Sequence, residues 1–326
     1  MNREKQSPCA STRLRKRFFS KGTRNGRGKN AFPVASLYLM TLPAIAAVGI
    51  FSYLPMFGLL AAFKNYNVFK GFWSSPWAGQ HGFANFSQIF SNTMLMGSIG
   101  STVKLSLLNL STTLTLQLIL ALLFNELRQK RFKRITQTIS YMPHFLSWIS
   151  IIGICKVLLD EYGLVNEVAL LMNPDHVRTL YLSKQSLYLP LLVLINNWRE
   201  IGYGSIFFLS AMTTIDPHLY EAAGVDGAGR LRQTWHITLP GVSVTAIVLV
   251  ILSIGSIFGS NFDLVYGFRN PFIAFETIDT MVYKLGINSG QYSLTIALGF
   301  ARGLVALALT LGVNFVSKKI NNVSVL

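Results

Sequence analysis

Apolar residues in this chain come in runs too long for a soluble core. They cover about residues 35–63, 98–124, 137–158, 187–213, 240–262 and 293–316. A helix of about 20 apolar residues crosses the hydrocarbon core of a bilayer, about 30 Å thick. The backbone must satisfy its own hydrogen bonds in lipid, and a helix does so within one segment. The sequence therefore predicts an all-α, polytopic membrane protein with six transmembrane helices. Composition agrees: 51% of the 326 residues are hydrophobic and 13% are charged, whereas a soluble domain carries about a quarter.

Charge sets the expected orientation. Six spans put both termini on one side. On that side, Lys and Arg number 10 in residues 1–30, 5 in 125–136, 2 in 214–239 and 2 in 317–326. The segments assigned to the other side, 64–97, 159–186 and 263–292, hold 2 each. This is the positive-inside pattern, so the N- and C-termini are expected in the cytoplasm and the chain in the cell (inner) membrane. A net charge of +16 taken alone suggests a nucleic-acid partner. The basic residues instead flank spans, where anionic lipid attracts them, so the expected partner is the lipid bilayer and no nucleic acid. Residues 1–30 carry one acid, Glu4, among Gly, Ser and Asn, and read as a disordered basic cytoplasmic tail. Residues 31–326 form the membrane domain. The run after the tail is too long for a cleavable signal. Cys9 and Cys155 fall in the tail and in a span, which argues against a disulfide and a Cys-based metal site.

Between the fourth and fifth spans lies a polar loop, 214–240, with helix signals of its own. Asp216 can cap a first turn, and Pro217 is tolerated at the first helical position. Leu219, Ala222 and Ala223 share one side, and Asp226-Gly227 is a turn signal. Leu231, Thr234, Trp235 and Thr238 then recur at helical spacing. The loop reads as helix, turn, helix.

Within it, Glu221-Ala222-Ala223, Asp226-Gly227-Ala228, Ile237 and Leu239-Pro240 resemble the EAA loop of permease subunits in binding-protein-dependent ABC importers. In that family the loop forms a coupling helix that docks on an ATPase subunit. Many members carry an aromatic residue where Thr234 stands; here Trp235, one place on, is expected to supply that bulk. The resemblance implies a type I ABC importer permease. Its implied partners are a second permease, most simply a different chain, two ATPase subunits and an extracytoplasmic solute-binding protein. ATP and Mg would bind in the ATPase subunits and no cofactor in this chain.

The first outer loop is crowded with Tyr66, Phe69, Phe72, Trp73, Trp77, Phe83 and Phe86. Such residues favour the membrane interface, and aromatic faces also suit sugar rings. Tyr53-Leu54-Pro55, Ala62-Phe63-Lys64, Ser75-Pro76-Trp77-Ala78-Gly79, Asp279-Thr280, Val282-Tyr283, Tyr292-Ser293 and Asn314 are similar to the carbohydrate branch of these importers, in the subgroup associated with oligosaccharides and polysaccharide fragments such as alginate. The expected cargo is such a sugar. Whether it is neutral or acidic stays open.

Polar groups inside spans mark the expected substrate path. A charge at mid-membrane costs about 2.5–3.5 kcal/mol on insertion scales and so faces a partner or a wet cavity. Asn196, Asn197, Trp198, Arg199 and Glu200 sit in the fourth span, Asn261 and Asp263 at the end of the fifth, and Arg302 in the sixth. Arg199 and Glu200 are neighbours in sequence and are expected to point apart, each seeking another partner; a Glu200–Arg302 pair is the expected solution. Lys104 and Lys156 lie near span ends. For an acidic sugar, Arg199, Arg302 and Lys104 are the candidate readers. Pro143 in the third span predicts a kink.

No GxxxxGK[ST], HExxH, CxxC or GxSxG pattern occurs, so neither ATP hydrolysis nor another enzymatic activity is expected of this chain. A secondary transporter is the alternative class. It would show inverted repeats with broken helices, and the sequence shows no convincing internal repeat.

Overall fold

A computed structural model describes residues 31–255, 257–259 and 262–321. The expected disordered tail, 1–30, lies outside the described residues, as do Ser256, Ser260 and Asn261. The chain divides into two units, Met1–Gly58 and Leu59–Leu326. In the first, helix α1 (Ala31–Val48) continues into a π turn, Gly49–Tyr53. A 3-10 stretch, Leu54–Phe63, carries the chain into the second unit.

The second unit is helical, and among the described residues the one extended pairing is an isolated bridge between Lys64 and Trp77. Two short helices, α2 (Gly71–Ser74) and α3 (Ala84–Ser91), precede α4 (Thr93–Glu126). Asn92 starts α4, its Oδ1 accepting from the amides of Met94 and Leu95 at 2.9 and 3.3 Å. At 34 residues, α4 is about 51 Å long. The third apolar run is not one helix. It forms α5 (Lys130–Tyr141), a 3-10 turn at Met142–Phe145, and α6 (Trp148–Leu159), followed by α7 (Leu164–Met172). The two arms of this broken pair meet at 100°. Leu146 and Ser147 are extended, and the Ser147 hydroxyl accepts from the Ser150 amide to restart the helix. The expected kink at Pro143 is therefore a full break, because two extended residues release the backbone ladder and a new cap takes over.

Then come α8 (Gln185–Met212), α9 (Pro217–Val225), α10 (Arg230–Gln233), α11 (Leu239–Gly255), α12 (Phe262–Gly267), α13 (Ile278–Val282) and α14 (Tyr292–Asn321). Four helical stretches are long and apolar enough to span a membrane: Ser36–Phe63, Thr93–Glu126, Arg230–Gly255 and Tyr292–Lys319. The broken pair Lys130–Phe145 and Trp148–Met172 counts as a fifth if taken together. Helix α8 is long enough, about 42 Å, but its middle carries Asn196, Asn197, Arg199 and Glu200. Only 6–17% of the four apolar windows is buried. Apolar helices that turn most of their surface outward match lipid as their solvent.

Helix α8 is the centre of the unit and packs along α4. Two glycines permit close approach. A Cβ on Gly202 would sit 1.8 Å from the Ser140 carbonyl oxygen of α5, and one on Gly204 would sit 2.0 Å from Gln117 Nε2 of α4. Buried clusters flank this seam. Ile151, Tyr188, Leu192, Leu264 and Phe268 join α6, α8 and α12. Ala121, Phe208, Met212 and Val242 join α4, α8 and α11. Ile89, Leu95, Met281, Leu294 and Ala297 join α3, α4, α13 and α14.

Candidate functional site

A cavity of about 400 Å³ opens between α4, α8 and α11. Asn109, Thr113 and Gln117 line it from α4, Asn196, Glu200 and Tyr203 from α8, Ser253 from α11, and His144 from the 3-10 turn at the break. Polar side chains thus converge inside an otherwise apolar bundle. Asn197 of α8 donates to Thr112 Oγ1 at 2.9 Å and accepts from Thr113 Oγ1 at 2.5 Å. Gln117 Nε2 donates to the Glu200 carbonyl at 3.3 Å. Asn109 Oδ1 is buried at the wall with no hydrogen-bond partner.

The Arg199–Glu200 pair is built differently from the expectation. The two side chains do meet: Arg199 Nη1 donates to Glu200 Oε1. Side chains adjacent in sequence diverge at Cβ, but both are long enough to fold back on the helix surface. Glu200 Oε2 also lies 3.1 Å from His144 Nδ1. The ring of His144 stacks on Tyr203, with centroids 4.0 Å apart and planes within 2°. Arg199 Nη2 donates to the His144 carbonyl at 3.1 Å, and its guanidinium lies 4.6 Å from the centroid of Trp148. One residue of α8 therefore grips both arms of the broken span, His144 before the break and Trp148 after it.

The expected Glu200–Arg302 pair does not form. Arg302 Nη1 donates to Asp279 Oδ1, joining α13 to α14. Arg302 does find a carboxylate, but from Asp279 in the short helix α13, a segment that the charge pattern places outside the spans. Of the candidate path residues, Asn196 and Glu200 reach the cavity wall. Asn197 is buried against α4. Trp198 is exposed on α8, and Asp263 is exposed at the start of α12. The cavity also takes in His144, Tyr203 and the α4 face, which lie outside the path expected from sequence. The α4 face has a readable signal: Asn109, Thr112, Thr113 and Gln117 recur at helical spacing through an apolar run.

A second feature lies at the other end of α8. Helix α9 is capped as its sequence predicts, with Asp216 Oδ1 accepting from the His218 amide at 3.0 Å and Pro217 in the first turn. It ends at a turn where Gly227 takes a φ of +73°, a conformation that favours glycine. The Ala228 amide closes the turn on the Ala223 carbonyl at 2.8 Å. Tyr220 Oη and Thr238 Oγ1 are 3.0 Å apart, and Arg230 donates to Glu126 at the end of α4 at 2.9 Å. Glu221, Ala222, Asp226, Gly227 and Pro240 are exposed, while Ala223, Ala228, Ile237 and Leu239 are half-buried. Large apolar side chains also point outward here: Val225, Leu231 and Trp235 are 89%, 85% and 68% exposed.

Together these features define a multi-pass helical membrane protein with a polar cavity among its helices. A family model described as binding-protein-dependent transport system inner membrane component matches residues 113–322. Protein LplB of Bacillus subtilis (strain 168) is 40% identical over 286 residues, covering 87% of this chain and 88% of the relative. The polygalacturonan/rhamnogalacturonan transport system permease protein YteP of the same organism is 39% identical, with coverage of 87% and 88%. Among solved structures, a bacterial ABC transporter involved in import of the acidic polysaccharide alginate superposes with a TM-score of 0.81 at 33% identity, covering 89% of this chain and 97% of that one. A bacterial alginate ABC transporter in complex with an alginate pentasaccharide-bound periplasmic protein gives 0.82 at 32% identity, covering 90% and 98%. The chain belongs to the family of binding-protein-dependent transport system inner membrane components, as a carbohydrate ABC importer permease of type I fold.

Proposed function

We propose that this permease carries an oligosaccharide or polysaccharide fragment inward, driven by ATP hydrolysis in partner subunits. The observation that carries the proposal is the 214–240 loop, in which the capped helix α9 and the turns after it hold Val225, Leu231 and Trp235 exposed on a polar segment. Apolar groups presented this way suit a docking surface. In this reading Glu221, Ala222, Ala223, Asp226, Gly227, Ala228, Ile237, Leu239 and Pro240 form the element that couples to an ATPase subunit. Two such subunits hold ATP and Mg, a second permease completes the path, and a solute-binding protein delivers the sugar from outside. The loop and both termini face the cytoplasm, in keeping with the Lys and Arg distribution.

ATP-driven closure of the ATPases moves α9, and Tyr220, Arg230 and the continuous run into α11 pass that movement to the helices around the cavity. The amides of Asn109 and Asn196 and the ring of Tyr203 supply hydrogen-bonding groups and a flat face for sugar hydroxyls and C–H faces.

The test is a pull-down of the tagged chain from solubilised native membranes, with ATPase assay of the eluate, beside Glu221→Lys. A nucleotide-binding subunit should co-purify, and the variant should uncouple hydrolysis from transport. A chain that emerges alone, with transport indifferent to Glu221→Lys, overturns the proposal in favour of a secondary transporter.

A further inference from the structure

The end of the bundle opposite the 214–240 loop carries cations that the deep cavity lacks. Two cavities of about 420 and 570 Å³ adjoin there, sharing Ser101 and Ala274 in their walls. They are built where α4 and α8 begin, with Met94 and Gly97 in one wall and Gln185 and Ser186 in the other. Arg269 and Lys284 line the first and Lys104 the second. The one carboxylate among their linings is Glu276. Arg269 and Lys284 each stand 3.4 Å from it, at the long end of ion-pair range, so one acid is shared between two bases. Lys104 is exposed. A third cavity of about 450 Å³ shares Arg269, Asn270 and Pro271 and adds the opposed charges Lys156 and Asp160.

The deep cavity has the contrary electrostatics. Its ionisable lining is His144, Glu200 and Tyr203, with no Lys or Arg among the lining residues. Arg199 is committed to Glu200, and Arg302 to Asp279. Neither arginine suggested by the sequence lines this cavity.

We propose that Lys104, Arg269 and Lys284 form an outer rim that receives the carboxylates of a uronate-bearing, acidic oligosaccharide; this rests on the reading of the chain as an oligosaccharide importer. Clefts lined by one sign of charge with low-dielectric walls raise the local concentration of the opposite charge. Cationic side chains also give charge-assisted hydrogen bonds to carboxylates, which neutral amides do not. The rim selects on charge, and the deep cavity then handles hydroxyls and ring faces with neutral groups.

The complete complex, with its second permease, ATPases and binding protein, is reconstituted into vesicles of phosphatidylcholine. Uptake of a labelled oligogalacturonate is compared with uptake of its methyl ester, equal in length but uncharged. Wild type should take up the acid. Lys104→Gln, Arg269→Gln and Lys284→Gln should each raise the KM for the acid about tenfold, as loss of one charged hydrogen bond does. The ratio of acid to ester uptake should fall by the same factor. Equal losses for acid and ester, or no loss for either, overturn the rim while leaving the importer reading intact. A wild type that takes up the ester but not the acid overturns it as well, and one that takes up neither also removes oligouronate as the cargo of this importer. A defect that appears only when anionic phosphatidylglycerol is present, and for both substrates alike, assigns the rim to lipid headgroups and overturns the proposal.

Discussion

At the residue scale, the arginine at position 199 does more than balance a charge. It bonds to Glu200, to the His144 carbonyl and to the face of Trp148. Arg199→Ala leaves Glu200 in a half-buried site with His144 alone, and should destabilise the purified protein by about 2–4 kcal/mol in thermal unfolding, since an uncompensated charge in a poorly hydrated site is costly. The double variant Arg199→Ala/Glu200→Ala should lose less than the sum of the two single changes, because they share one network. Gly202 is constrained by contact: its Cβ would overlap the Ser140 carbonyl. Gly202→Val should cost about 3 kcal/mol or more. Gly299→Ala, which meets nothing within 4 Å, should be tolerated or mildly stabilising, by up to about 1 kcal/mol.

Elements are where the ion pairs become assignments between helices. Asp279 on α13 holds Arg302 on α14. Exchanging them, Asp279→Arg with Arg302→Asp, should recover much of the transport lost in either single variant. The exchange of Glu200 with Arg302 should recover nothing. The coupling element has its own prediction. Asp216→Ala removes the cap of α9 and should loosen it by about 1 kcal/mol, read as faster amide exchange from His218 to Glu221. The break at Met142–Ser147 is fixed twice, by Ser147 as a new cap and by Arg199 of α8, which grips both its sides.

For the whole molecule, orientation is the decisive property. A cysteine at Leu231 and one at Phe69 should react with a membrane-impermeant maleimide from opposite faces of the membrane. Labelling of both from one face, or of Leu231 from outside and Phe69 from the cytoplasm, would overturn the proposed topology. The fold class was legible because lipid sets a minimum length for apolar helices, and the helical stretches containing α4, α11 and α14 all meet it. The loop at 214–240 was legible because caps and turns are local: Asp216, Pro217 and Gly227 act within a few residues of chain. The third run was less so. A proline signals a disturbance, but whether it yields a bend or a break depends on what Leu146 and Ser147 do and on what packs there.

The all-helical membrane class, the capped helix between α8 and α11, and the presence of intramembrane charges in need of partners thus follow from the order of residues alone. Which partners they found was decided only by the tertiary structure. Glu200 took Arg199 and His144, Arg302 took Asp279, and the small-residue approach at Gly202 brought α5 against α8. The physical reason is range. Helix length, capping and turn chemistry are settled by neighbours in the chain, whereas an ion pair or a cavity wall depends on which helix faces which. That facing is set by the packing of the whole bundle.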